Sequence, residues 1–134
     1  MISVKAIDHV GIRVADPERA IAFYAKLGFE LVWRGGPEPV AILKNTAGVE
    51  LNLILNGVPH ESRNVLMDVP TKWPGYTHMA LQVSSSIDDL VAKLGELGIA
   101  ISGGPLRLGE GMALFVRDPD GNVIELREPV AGEP

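Results

Sequence analysis

Four residues of types that bind metal ions occupy matching places in the two halves of the sequence. They are His9, Glu50, His78 and Glu125. Each histidine is the second residue of a segment with the pattern polar, His, apolar, small, apolar, polar, Val, and the two segments start 69 positions apart. Two imidazoles and two carboxylates that converge from separate strands suit a divalent ion of the manganese-to-zinc series, with two octahedral positions left for water or substrate.

Alternation along the strands supports this interpretation. Side chains two positions apart on a strand share a face. His9 therefore shares a face with Gly11 and Arg13, and Asp8 is expected on the opposite face with Val10. An ordinary half-solvated strand gives the same alternation, so each residue taken singly also fits a solvent-exposed position. The repetition of one His and one Glu in each half favours a site.

Composition excludes several other classes of protein. The chain of 134 residues has no cysteine, which excludes disulfides, thiolate metal sites and a cysteine nucleophile. Its net charge of -5 argues against a nucleic-acid partner. No apolar run approaches the roughly 18 residues of a membrane span, and the N-terminus does not resemble a signal peptide. We therefore expect no membrane partner and a cytoplasmic location.

Each histidine segment is followed by a predicted amphipathic helix. The first helix begins at Asp16-Pro17, an N-cap followed by proline, and ends at Gly28. The second begins at the capping box of Ser86-Ile87-Asp88-Asp89 and ends at Gly98. The apolar stripes of the two helices are Ala20, Phe23, Tyr24 and Leu27, and Ile87, Leu90, Val91, Leu94 and Leu97.

Three strand-like segments follow each helix, which gives two βαβββ modules at about residues 4–55 and 76–127. The segments are 29–34, 39–44 and 49–55 in the first module, and 99–102, 112–116 and 122–127 in the second. Connector 56–75 is long for a compact domain, so it is either a linker or a functional loop. His60 in this connector has no counterpart in the repeat and is expected at the surface. The glycine clusters 103–105 and 109–111 are expected to be a mobile flap or ordinary loops.

These motifs resemble the vicinal oxygen chelate superfamily, which includes glyoxalase I, extradiol dioxygenases, methylmalonyl-CoA epimerase and the fosfomycin and bleomycin resistance proteins. The segments that carry the resemblance are Asp8–Ile12, Ala22–Phe29 and Phe115–Leu126. The resemblance implies an α+β fold in a single domain, 1–134, whose two paired modules form a cup-shaped mixed sheet around a metal. Small members commonly dimerise, so the resemblance implies a homodimer in which modules from both chains can build each site.

The resemblance also implies roles for the four metal-binding candidates. His9, Glu50, His78 and Glu125 match the four metal positions of glyoxalase I. Dioxygenases and fosfomycin resistance enzymes use three positions, which are His9, His78 and Glu125 here. Glu50 therefore favours a glyoxalase I-like site with one divalent nickel, cobalt, zinc, manganese or iron ion. By the same resemblance Glu125 is the main catalytic base and Glu50 the second catalytic carboxylate.

Three further residues are candidate substrate contacts. Arg13 matches an arginine that contacts glutathione in glyoxalase I, and Arg107 resembles a basic substrate-contacting position. Ile54 stands where bacterial glyoxalase I has an asparagine that contacts glutathione, and Asn52 or Asn56 is the candidate replacement.

The leading functional hypothesis is a metal-dependent lyase or isomerase of glyoxalase I type. It would act on a small vicinal-oxygen substrate, such as a thiol adduct of a 2-oxoaldehyde, by proton transfer through an enediolate. The alternatives are an extradiol dioxygenase that uses Fe(II) and a non-catalytic drug-binding protein of the bleomycin resistance type. Dioxygenase chemistry calls for additional acid–base groups, and resistance proteins generally lack the metal residues, so both alternatives rank lower.

Overall fold

The computed structural model describes residues 1–59 and 63–130. The chain divides into two compact units, Met1–Glu61 and Ser62–Pro134. His60 lies outside the described residues. The expectation that the whole chain forms one domain stays a prediction.

The first unit is a four-stranded mixed sheet with one helix. Its elements are β1 (Val10–Arg13), α1 (Pro17–Lys26), β2 (Glu30–Gly35), β3 (Val40–Lys44) and β4 (Glu50–Ile54). The strand order is β1-β4-β3-β2. β1 runs parallel to β4, whereas β3 is antiparallel to both β4 and β2.

The second unit repeats this arrangement. Its elements are β5 (His78–Gln82), α2 (Ile87–Leu97), β6 (Ile101–Leu108), β7 (Gly111–Arg117) and β8 (Val123–Arg127). The strand order is β5-β8-β7-β6, with β5 parallel to β8 and the other pairs antiparallel. The structure thus confirms the α+β class and the duplicated βαβββ order.

The helix starts lie at the predicted capping residues. The Asp16 carboxylate accepts a hydrogen bond from the Arg19 backbone N–H at 3.1 Å, and the Ser86 hydroxyl accepts one from the Asp89 backbone N–H at 3.2 Å. These bonds satisfy N–H groups that have no partner within the helix. Gly98, at a φ of 71°, adopts the left-handed conformation that ends α2.

Each sheet has a buried apolar face. In the first unit Leu43, Leu51 and Leu53 are fully buried, as is Tyr24 of α1. The corresponding buried side chains of the second unit are Leu94, Leu114, Val116 and Ile124. The predicted apolar stripe of α2 was too wide. It included Val91, which is 37% exposed, whereas Leu90 and Leu94 are buried.

Two predicted boundaries were wrong. β1 begins only at Val10, so His9 precedes the strand and Ile7 is 82% exposed. β6 runs through the glycine cluster 103–105, because shifts in its register with β7 accommodate these residues within the sheet.

The second glycine cluster, 109–111, forms the turn between β6 and β7. Leu108 pairs with Gly111, which leaves a two-residue hairpin loop in which Gly109 has a φ of 65°.

The later part of the connector is attached to the second unit. Arg117 of β7 donates two hydrogen bonds to the Asp68 carboxylate, at 2.6 and 2.8 Å. The Asn64 side chain donates to the Gly121 carbonyl at 3.2 Å, and its backbone N–H donates to Asp68. The hydrogen bond from Arg117, with that from Asn64, lowers the pKa of Asp68 from 3.8 to about 2. The same ion pair raises the pKa of Arg117.

Among residues 1–59 and 63–130, no helix has the length and apolar character needed to cross a membrane.

Candidate functional site

The second unit brings His78 and Glu125 together. Nε2 of His78 lies 3.1 Å from Oε1 of Glu125. Ala80 of β5 pairs with Glu125 of β8, and His78 lies two residues before Ala80 on the same face of the sheet. Glu125 is 7% exposed, so this carboxylate is shielded from solvent, whereas 32% of the His78 side chain is exposed.

Both Glu125 oxygens are engaged. Arg127 Nη1 donates to Glu125 Oε2 at 2.7 Å, and Arg127 Nη2 donates to the Leu108 carbonyl at the end of β6. Burial of a carboxylate is costly unless it is paired and hydrogen-bonded. Arg127 supplies that pairing through its guanidinium group.

Two neighbours orient the His78 ring. Its Nδ1 lies 2.9 Å from the Thr77 hydroxyl. The Phe115 ring packs against it edge-on, with 5.7 Å between ring centroids and 71° between ring planes. Contact through Nδ1 leaves Nε2 as the ring nitrogen beside Glu125, which is the atom available for a metal ion.

The first unit places His9 near Glu50 more loosely. Nδ1 of His9 lies 4.0 Å from Oε2 of Glu50 and 2.7 Å from Oδ1 of Asp8. Glu50 Oε1 lies 3.4 Å from the Lys44 ammonium nitrogen. One ligand-type atom from each of Asp8, His9 and Glu50 lies within 4.8 Å of the other two.

The position expected for Asp8 was wrong. Alternation puts it on the face opposite His9, yet its carboxylate contacts the His9 ring. Both residues precede β1, so the pleated alternation of a strand does not constrain them. Asp8 is therefore an acidic neighbour of His9 in the first unit.

The two halves share a pattern of contacts that the sequence reasoning missed. In each half the residue before the histidine contacts its Nδ1, and these residues are Asp8 and Thr77. In each half a basic side chain contacts one oxygen of the glutamate, and these side chains are Lys44 and Arg127. The position of Arg127 two residues after Glu125 was a signal for this contact, because the two side chains share a strand face.

The predicted substrate residues have differing surroundings. Arg13 Nε donates to Asn56 Oδ1 at 3.0 Å, and Arg107 on β6 donates to the Glu110 carbonyl at 3.4 Å. Both arginines are exposed. Asn52 lies on β4 two residues after Glu50, and its buried Oδ1 has no hydrogen-bond partner among residues 1–59 and 63–130.

The donor set fits a divalent metal ion. Each unit offers an imidazole nitrogen and carboxylate oxygens within 4.0 Å of each other, and imidazole with carboxylate suits ions from manganese to zinc. Contacts that fix metal-binding side chains from behind are a common feature of such sites, and Thr77, Arg127 and Lys44 supply them here. Asp8 differs, because it contacts the same His9 Nδ1 that faces Glu50.

Comparisons with known proteins agree with this fold. Residues 6–126 match the model of the Glyoxalase/Bleomycin resistance protein/Dioxygenase superfamily. The chain is 31% identical to the glyoxalase domain-containing protein RDO1 of Mycosarcoma maydis, over 93% of this chain and 69% of that protein. It is 30% identical to a probable lactoylglutathione lyase of Synechocystis, over 88% of this chain and 91% of that protein.

A solved structure gives the same result. The virulence protein STM3117 of Salmonella typhimurium is 31% identical over 95% of this chain and 86% of its own sequence. Its crystal structure superposes with a TM-score of 0.71, covering 96% of this chain and all of that chain. The fold is that of the glyoxalase-like proteins. The chain belongs to the Glyoxalase/Bleomycin resistance protein/Dioxygenase superfamily.

Proposed function

We propose that the protein is a metal-dependent lyase or isomerase of glyoxalase I type. It acts on a small molecule with two adjacent oxygens, such as a thiol adduct of a 2-oxoaldehyde, and moves a proton between neighbouring carbons through an enediolate. The observation that carries the proposal is the His–Glu pair in each unit, His9 with Glu50 and His78 with Glu125. A three-ligand site would not need the second glutamate.

In this proposal His9, Glu50, His78 and Glu125 hold one divalent nickel, cobalt, zinc, manganese or iron ion. When bound, the ion supplies Lewis acidity that stabilises negative charge on the substrate oxygens. The two imidazoles contribute neutral ligands and the two glutamates contribute negative charge, which balances a doubly charged cation.

Glu125 is the proposed main base. Its Oε1 faces His78 and its Oε2 is held by Arg127, so the carboxylate is fixed in position and shielded from water. A positioned carboxylate can take the proton from the carbon next to a carbonyl and return it to the neighbouring carbon. Glu50 is less shielded, with 20% of its side chain exposed, and serves as the second carboxylate.

Arg13, Asn52 and Arg107 are the proposed substrate contacts. The two exposed arginines would bind acidic groups of the substrate. The buried Asn52 Oδ1 can accept a hydrogen bond from a substrate hydroxyl or amide. Ile54 lies two residues after Asn52 on β4, at the position where bacterial glyoxalase I has an asparagine that contacts glutathione. Because Ile54 offers only an apolar contact, the substrate need not carry the glutathione moiety.

The first experiment is elemental analysis of the purified protein beside its His78→Ala variant. About one nickel, cobalt, zinc, manganese or iron ion per site in the wild type, lost in the variant, is the expected result. Isomerisation of the adduct of methylglyoxal with glutathione or another thiol is then followed without dioxygen. Consumption of dioxygen with a catechol would instead indicate a dioxygenase. Ligand binding by a protein that takes up no metal would indicate a drug-binding protein.

We also propose that the protein is a homodimer, as small members of the superfamily commonly are. Light scattering coupled to size-exclusion chromatography measures the mass directly. A monomeric mass across micromolar concentrations would contradict this part of the proposal.

A further inference from the structure

We propose that Arg127 is a positioning residue that fixes one oxygen of Glu125 and so leaves the other for the metal ion and the substrate proton. The inference rests on the proposed function and extends it to a residue with no assigned role. Its basis is the pair of contacts that one guanidinium makes, to Glu125 Oε2 at 2.7 Å and to the Leu108 carbonyl.

The contacts make the two oxygens of Glu125 inequivalent. Oε2 is bound by Arg127, whereas Oε1 lies 3.1 Å from His78 Nε2. The planar guanidinium has donors in a fixed fork, so it can hold a carboxylate and a carbonyl at the same time in one orientation. The anchor at Leu108 therefore fixes the guanidinium, and the guanidinium fixes the rotation of the carboxylate.

The charge of Arg127 also matters, because Glu125 is 7% exposed. A shielded carboxylate without a permanent counter-charge is strongly disfavoured. Arg127 supplies that counter-charge at 2.7 Å from Glu125 Oε2.

The first unit provides a looser version of the same arrangement. Lys44 lies 3.4 Å from Glu50 Oε1, and 52% of its side chain is exposed, against 26% for Arg127. A lysine ammonium is a flexible point charge without the fork geometry of arginine. Lys44 should therefore orient Glu50 less firmly than Arg127 orients Glu125.

The test measures the affinity and the visible absorption spectrum of bound Co²⁺, with Co²⁺ alone as the probe. Arg127→Met should weaken the affinity by roughly 10- to 100-fold and shift the spectrum, as loss of an outer contact to a metal ligand does. Arg127→Lys should fall between this variant and the wild type, because it restores the charge but not the fork. Lys44→Met should have a smaller effect than Arg127→Met.

Arg34→Met is the matched control, because Arg34 forms an exposed ion pair with Glu18 at 2.6 Å and has no place in the proposed site. It should leave affinity and spectrum unchanged. Circular dichroism verifies that each variant is folded. If Arg127→Met does not fold, the comparison of Arg127→Lys with the wild type tests the inference. Wild-type affinity and spectrum in a folded Arg127 variant would overturn this inference alone. Failure of the wild type to bind any of Co²⁺, Ni²⁺, Zn²⁺, Mn²⁺ and Fe²⁺ would overturn the proposed function together with it.

Discussion

Nε2 of His78 lies 3.1 Å from Oε1 of Glu125, although the two residues are 47 positions apart in the chain. The contact follows from the parallel register of β5 and β8, in which Ala80 pairs with Glu125. A short strand pair thus sets the distance between an imidazole and a shielded carboxylate.

Removal of either histidine should reduce metal binding without unfolding the protein. The side chains of His9 and His78 are 43% and 32% exposed, so His9→Ala and His78→Ala should change the free energy of unfolding by no more than about 0.5 to 1 kcal/mol. Metal affinity should fall by more than the roughly 10- to 100-fold cost of losing an outer contact. Metal content and thermal unfolding of the apoproteins are measured together. Unchanged metal stoichiometry in both variants would contradict the assignment of His9 and His78 as metal ligands.

The two glutamates should contribute unequally to turnover. Glu125→Gln should lower kcat by about 10²- to 10⁴-fold, because it removes a shielded base held by two partners. Glu50→Gln should cost less, since Glu50 is more exposed and its contact with His9 is longer, at 4.0 Å. Steady-state kinetics of both variants, each loaded with metal to the same occupancy, decides the order. A larger loss in Glu50→Gln would reverse the assigned roles.

Much of the duplicated architecture could be predicted because it rests on local signals. Asp16, Ser86 and Gly98 mark helix ends through their own backbone chemistry, and the structure places the helix termini there. The alternation of Glu50 with buried Leu51 and Leu53 likewise indicated which face of β4 is open. In each case a residue and its near neighbours determine the conformation.

Features that depend on distant contacts could not be predicted in the same way. The lengthened β6 depends on irregular pairing with β7, which lets glycines and a proline lie within a strand. The contact of Asp8 with His9 depends on where β1 begins. The anchoring of Arg127 to Leu108 joins residues 19 positions apart, and no local pattern shows it.

The ion pair between Asp68 and Arg117 should make stability depend on acid pH. The pKa of Asp68 is about 2 in the folded protein and 3.8 ordinarily, so the folded state favours the ionised carboxylate. Its contribution is complete above about pH 4, declines as the pH falls towards 2, and is absent below that. The difference in unfolding free energy between wild type and Asp68→Asn should therefore shrink as the pH falls from about 4 to about 2. A difference that is constant over this range would contradict the ion-pair account.

Glu128, just after β8, should stabilise the second unit by joining two of its elements. Its Oε2 accepts a hydrogen bond from the Ile87 backbone N–H at the start of α2, at 3.0 Å, and its Oε1 accepts one from the Met112 backbone N–H, at 3.1 Å. Glu128→Ala leaves two backbone donors without this partner and removes a negative charge from a helix N-terminus, which should cost about 1 to 3 kcal/mol.

Glu128→Gln should cost less than Glu128→Ala, because the amide oxygen can still accept one of the two bonds. The exposed Glu96 on α2 provides the matched control, and Glu96→Ala should change stability by less than about 0.5 kcal/mol. Urea unfolding at pH 7 measures all three variants. If Glu128→Ala unfolds at the same urea concentration as Glu96→Ala, the two hydrogen bonds of Glu128 do not stabilise the unit.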